Sequence, residues 1–234
     1  MKKNLNQKLI NLIEYYNLTN INLLLSENSL ARNLNDSSSS SNKTKIEKLN
    51  KLKNKIKNIK NCDLKNSATN IVFGDGNISS KIMFIGEGPG AQEDAEGIPF
   101  VGRAGKLLDK MLTAIKLDRT KVYISNVVNY RPPANRKPNE AEIERYLPYL
   151  KSHIEIINPK ILVLLGSTAL NTLIGNEVVI SKARGKWIQR KIGLANPWII
   201  ASFHPAFLMR QPEQKKFAWI DLKMIREKSK TLKI

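Results

Sequence analysis

KIMFIGEGPGAQEDAEGIPFVGRAGKLLD, residues 81–109, is the stretch on which the reading of this chain turns. It opens with Ile82-Met83-Phe84-Ile85, an apolar run with the length and composition of a buried strand. The run leads directly into Gly86-Glu87-Gly88-Pro89-Gly90, where glycines let a ligand approach main-chain N–H groups closely. The acidic residues Glu93, Asp94 and Glu96 follow, then Gly97-Ile98-Pro99-Phe100-Val101-Gly102. Leu107, Leu108, Met111, Leu112 and Ile115 supply the apolar face of a helix. Strand, glycine loop and helix form one α/β unit, and open α/β sheets bind ligands at the carboxyl ends of their strands. Neither G-x-G-x-x-G nor a G-K-S/T ending is present, so nothing here supports a nucleoside triphosphate. A plain tight turn would use the same glycines.

Outward from this unit, strands and helices alternate. Lys121 to Val128 predicts a strand carrying Asn126, followed by the Pro-rich loop NYRPPANRKP over 129–138. Asn139 can cap a helix to Ile157, with Glu140 and Glu142 in its first turn where the helix dipole favours them. Ile161 to Leu165 predicts a strand that Gly166-Ser167 turns into a helix through Ile174. Lys186 to Lys191 predicts an edge strand, Trp198 to Phe203 the last core strand, and Gln214 to Lys228 a closing helix. The alternation predicts an α/β fold, a mostly parallel sheet with helices on both faces. Upstream, residues 1–36 read as an N-terminal helical extension, and the serine run over 37–43 as a flexible linker. The main domain then spans 44–234. It begins with an amphipathic basic helix whose Ile46, Leu49, Leu52, Ile56 and Ile59 would dock on the core.

The chain has 234 residues and 41% hydrophobic content, enough for one sizeable core. Its net charge of +19 favours a polyanionic partner, nucleic acid first. The basic surplus is 8 in residues 1–70, 6 in 71–195 and 5 in 196–234, so it is not confined to a tail. No apolar run has the length of a membrane span, and the single cysteine excludes an internal disulfide; both predict a cytoplasmic protein without a membrane partner.

Three polar strand ends should converge at one edge of such a sheet: the loop after Ile85, Asn126, and His204. His204 opens HPAFLMRQP and would be a catalytic or merely structural strand end. The Asn126 amide, donor and acceptor together, suits the amide-imide edge of a pyrimidine, though a turn residue would look the same. Phe100 is a stacking platform or a core residue. His153, inside a helix, reads as a packing or surface residue.

The segments GEGPGAQEDAEGIPFVGRAGKLLD, VYISNVV and HPAFLMR, in this order, resemble the type 4 uracil-DNA glycosylases. The similarity runs from about Cys62 to Lys228 and takes in YRPPANRKP, LPYL, NPKILVLLG and RGKW. It implies a three-layer αβα fold around a mostly parallel four-stranded sheet. The implied activity is hydrolysis of the bond joining uracil to deoxyribose in DNA, the first step of base excision repair. On the matching positions it implies a uracil pocket of Gly86, Glu87, Gly88, Phe100, Asn126 and His204. His204 would stabilise the leaving base, and Glu87, Glu93 or Asp94 would position water or steady the cationic sugar. In the best-known uracil glycosylases an acidic side chain stands where this chain has Gly88. Leu208 and Met209 are candidate wedges for the gap left by a flipped base, with Arg210 on phosphate. The expected enzyme is a monomer.

Members of the family usually hold a 4Fe-4S cluster on four cysteines. Here only Cys62 matches; Ile59, Tyr130 and Tyr146 occupy the other three positions. One thiolate cannot replace four, so neither the cluster nor any other metal is expected. A DNA- or uracil-binding module that lost catalysis with its cluster is the alternative; retention of His204 and Glu87 argues against it. A covalent trap for uracil-DNA would need a basic insertion with a histidine after GIPFVG, which is lacking.

Overall fold

The computed structural model describes residues 37–175 and 178–234. The chain divides into the units Met1–Ser38 and Ser39–Ile234, and the account below concerns the second. The helices expected over 1–36 lie outside the described residues.

Helix α1 (Ser37–Lys57) opens the unit, and α2 (Asp63–Ser67) follows. The serine run, expected as part of a linker over 37–43, lies within this helix. Serine is a middling helix former, and extending an existing helix costs far less than starting one. Leu49, Leu52 and Ile56 turn inward from α1, and Lys45 Nζ donates to the carbonyls of Ile78 (3.2 Å) and Ile157 (3.0 Å).

The sheet is built from β1 (Asp75–Gly76), β2 (Ile82–Gly86), β3 (Tyr123–Asn126), β4 (Ile161–Leu165), β5 (Trp187–Gln189) and β6 (Trp198–Ser202), in the order β1-β3-β2-β4-β6-β5. The four central strands are parallel, as expected, and the two short edge strands run antiparallel to them. Helices α3 (Ala91–Glu96) and α4 (Arg103–Ala114) follow β2, and α5 (Glu140–Ile157) precedes β4. Helix α6 (Ser167–Ile174) follows β4, α7 (Ile180–Ala183) leads to β5, and α8 (Pro205–Arg210) and α9 (Lys215–Thr231) close the chain. Asn139 caps α5 as its sequence predicts, its Oδ1 accepting from Glu142 N at 2.8 Å.

Strand β2 is buried throughout, and its alternate residues feed two separate cores. Met83 and Ile85 join Leu49, Leu52, Ile56, Ile154 and Ile157 on one face of the sheet. Ile82 and Phe84 join Leu108, Leu112, Leu222 and Ile225 on the other. This is a three-layer αβα arrangement. Parallel register sets Gly86 opposite Asn126 and Leu165 opposite Ser202, so the strand ends that carry candidate chemistry meet at one edge.

Candidate active site

Gly86 ends β2 beside Asn126, and a Cβ there would lie 2.5 Å from both Asn126 Oδ1 and Phe100 Cζ. Only glycine lets the amide and the aromatic ring close on one another. Asn126 is 3% exposed, and its Oδ1 has no hydrogen-bond partner among the described residues. A buried acceptor left unpaired costs free energy, and a donor entering beside it recovers that cost.

Phe100 is buried, and its backbone adopts φ 57, a left-handed conformation rare for an aromatic residue. Its ring lies 5.5 Å from that of His204, centroid to centroid. The loop between β2 and α4 is braced by Glu93, whose carboxylate accepts from Gly90 N (3.1 Å) and Gly102 N (2.8 Å). Asp94 is buried and accepts from the backbone N–H groups of Thr69 (2.9 Å) and Asn70 (3.0 Å). These contacts make Glu93 and Asp94 scaffolding. Glu87, which accepts from Thr168 Oγ1 on α6, lines the cavity together with Glu93, whose two oxygens are already taken by backbone N–H groups.

His204 caps α8, its Nδ1 accepting from Ala206 N at 3.2 Å. A nitrogen that accepts cannot hold the proton, so the neutral ring carries it on Nε2. Burial, with Arg210 nearby as the lesser cause, pushes the imidazole pKa down to about 4. The ring is therefore a neutral donor.

Glu87, Gly88, Phe100, Asn126, Pro132 and His204 line a cavity of about 180 Å³. A neighbouring hollow of about 520 Å³ shares Glu87 and His204 and reaches Phe207 and Arg210. Glu87 and His204 thus line both the small chamber and the wider hollow beside it. Sequence reasoning missed Thr168, although it follows another strand end, and left the Pro-rich loop without a role. That loop supplies Pro132, Asn135, Arg136 and Pro138 to the cavity wall.

Leu208, a wedge candidate, is 1% exposed and packs in the core. Met209 is half-buried and Arg210 exposed. His153 is a packing residue. It stacks on Phe73 at 4.3 Å with Nε2 3.0 Å from Tyr123 Oη, and burial pushes its pKa down to about 3.

The four cluster-equivalent positions are all buried, and Cys62 Sγ lies 3.4 Å from Tyr146 Oη. Burial first, then the bond to Cys62, raises the Tyr146 phenol well above its ordinary range. Arg145 donates to the carbonyls of Lys60 (3.0 Å) and Asn61 beside them. One thiol, two neutral phenols and an isoleucine are not the donor set of an iron–sulfur cluster. Among the described residues, no group of three or more His, Cys, Asp or Glu side chains could hold a metal. No described helix is long and apolar enough to cross a membrane.

Residues 73–223 match the family model of the uracil DNA glycosylase superfamily. The chain belongs to that superfamily. Its similarity is to type-4 uracil-DNA glycosylases, including that of Thermotoga maritima, 45% identical over 157 residues, 67% of this chain and 80% of the relative. The type-4 enzyme of Sulfurisphaera tokodaii is 42% identical over 187 residues, covering 78% and 85% of the two chains. That of Archaeoglobus fulgidus is 38% identical over 186 residues, covering 78% and 94%. The glycosylase match covers both β2 with its loop and the His204 turn, so the chamber lies wholly within the family's domain.

Proposed function

We propose that this superfamily member excises uracil from DNA, hydrolysing the N-glycosidic bond of deoxyuridine to begin base excision repair. The observation that carries the reading is the unpaired, buried Asn126 Oδ1 in the same small chamber as the neutral His204. A base within a duplex is inaccessible, so uracil would be flipped into the chamber. There Phe100 stacks on the ring. Asn126 Oδ1 accepts from N3–H while its amide nitrogen donates to O4. The bond from C1′ to N1 then breaks, its electron pair passing onto the uracil ring and O2, while the sugar becomes an oxocarbenium ion. His204 Nε2–H donates to O2 and stabilises that charge as it grows. Water adds to C1′, and the proton it loses passes to solvent, balancing the one that the uracil anion takes up to leave as neutral uracil. With Gly88 in place of an acid, the Glu87 carboxylate, oriented by Thr168, steadies the cation and orients the water.

Met209 and Arg210 meet DNA beside the flipped base, Arg210 on phosphate. The protein acts in the cytoplasm as a monomer and without an iron–sulfur cluster, because Ile59, Tyr130 and Tyr146 cannot replace thiolates. The test is release of uracil from single- and double-stranded oligonucleotides containing one deoxyuridine, with thymine and cytosine controls. Excision of uracil alone supports the reading; tight DNA binding with no excision would replace it with a binding module.

A further inference from the structure

We propose that Arg119 is a positioning residue for the base chamber, holding Phe100 in the strained backbone conformation that aims its ring. The inference rests on the reading of Phe100 as the stacking wall for uracil. Arg119 lies between β1 and α4, outside the chamber, and its guanidinium makes four contacts, two with carbonyls and two with carboxylates. Nη1 donates to the Pro99 carbonyl at 3.0 Å, and Nη2 donates to the Phe100 carbonyl. Nε donates to Asp109 Oδ1 at 2.9 Å and Nη1 to Asp75 Oδ2 at 2.8 Å. Two carboxylates thus fix the planar fork, and the fork grips two consecutive carbonyls of the loop. A lysine, with one compact ammonium on a flexible stem, cannot reproduce that grip.

The grip falls where the loop has most reason to relax. Phe100 is the one described residue of the 86–102 loop, glycines aside, with positive φ. A side chain held there persists only when its surroundings over-determine it. Gly105 completes the enclosure, since a Cβ on it would lie 1.7 Å from the Phe100 carbonyl oxygen. With the Phe100 carbonyl pinned between Arg119 and the first turn of α4, the ring has one direction left, against Gly86 and His204. Released, the peptide would relax toward ordinary φ and the ring would leave the chamber wall.

The experiment is a double-mutant cycle on the full chain with Arg119→Ala, Phe100→Ala and both together. The readouts are inhibition by free uracil and the single-turnover rate on a deoxyuridine oligonucleotide. Arg119→Ala should weaken uracil binding roughly tenfold when Phe100 is present and by less than about twofold in the Phe100→Ala background. Lys45→Ala, which removes a comparable tie between a side chain and two carbonyls elsewhere, should lower the melting temperature but not uracil affinity. Equal losses in both backgrounds, or an Arg119→Ala loss no larger than that of Lys45→Ala, would overturn the proposal. If Arg119→Ala does not fold, Arg119→Lys takes its place in the same cycle, with a smaller effect of the same pattern. A wild-type protein that neither binds nor excises uracil removes the functional reading; one that does both while the cycle is additive removes the role of Arg119 alone.

Discussion

Replacing His204 with alanine tests both its role and its charge. The ring donates from Nε2 because Nδ1 is occupied by Ala206 N–H, and it is neutral because its pKa lies near 4. Holding a proton on this imidazole at neutral pH would cost roughly 3 kcal/mol relative to a free histidine. Negative charge reaches uracil O2 only as the bond to the sugar breaks, so the donor acts on the chemical step. Loss of one preorganised donor of this kind costs on the order of 10²–10³ in rate. Single-turnover excision by His204→Ala should fall by that factor while affinity for a deoxyuridine oligonucleotide changes little. In the wild type, a group already deprotonated above its folded pKa contributes no step to the rate between about pH 5 and 8. Wild-type speed in the mutant would return His204 to a purely structural role. A loss of rate centred near an ordinary histidine pKa would instead mean that the donor is an imidazolium.

Phe100→Ala should weaken uracil binding as well as the rate, since stacking precedes bond breaking; inhibition by free uracil measures the first and single turnover the second. Gly105→Ala should destabilise the fold by about 1–3 kcal/mol or more, because its methyl would meet the Phe100 carbonyl; urea unfolding measures it. The folded protein resists protonation of His153 and His204, whose pKa values lie near 3 and 4, whereas the unfolded chain takes up those protons near pH 6.5. Stability should therefore fall as pH drops through that window, by roughly 2–3 kcal/mol per imidazole between neutrality and about pH 4.5, as read by urea midpoints. The purified protein should be colourless and fold without iron; a broad visible absorption with stoichiometric iron would contradict the packing around Tyr146.

The parts of this fold that announce themselves in sequence are those whose signal is local. Ile82–Gly86 and Ile161–Leu165 are continuous apolar runs, and such runs become central parallel strands buried on both faces. Asn126 and His204 were legible for the same reason, being polar residues at the ends of such strands. Strand β1 was not, because Asp75–Gly76 is a two-residue segment with no apolar run, placed by pairing with β3 and by the ion pair to Arg119. In PAFLMR three bulky residues stand in a row, and only the turn of α8 decides that Leu208 faces the core while Met209 does not. Arg119 had no local signature, since Asp75, Pro99, Phe100 and Asp109 come to it only through the assembled sheet and helix.

The cap on α8 couples the chemistry of the proposed donor, His204, to a very short piece of backbone. The Ala206 N–H occupies Nδ1 only while the first turn of that helix is closed. When the turn opens, Nδ1 is freed to accept a proton from water, and Nε2–H is no longer the enforced tautomer. The donor would then be disarmed by a local fluctuation long before the sheet is disturbed. Deuterium exchange at the single amide of Ala206 thus becomes a clock for how often the enzyme is unready.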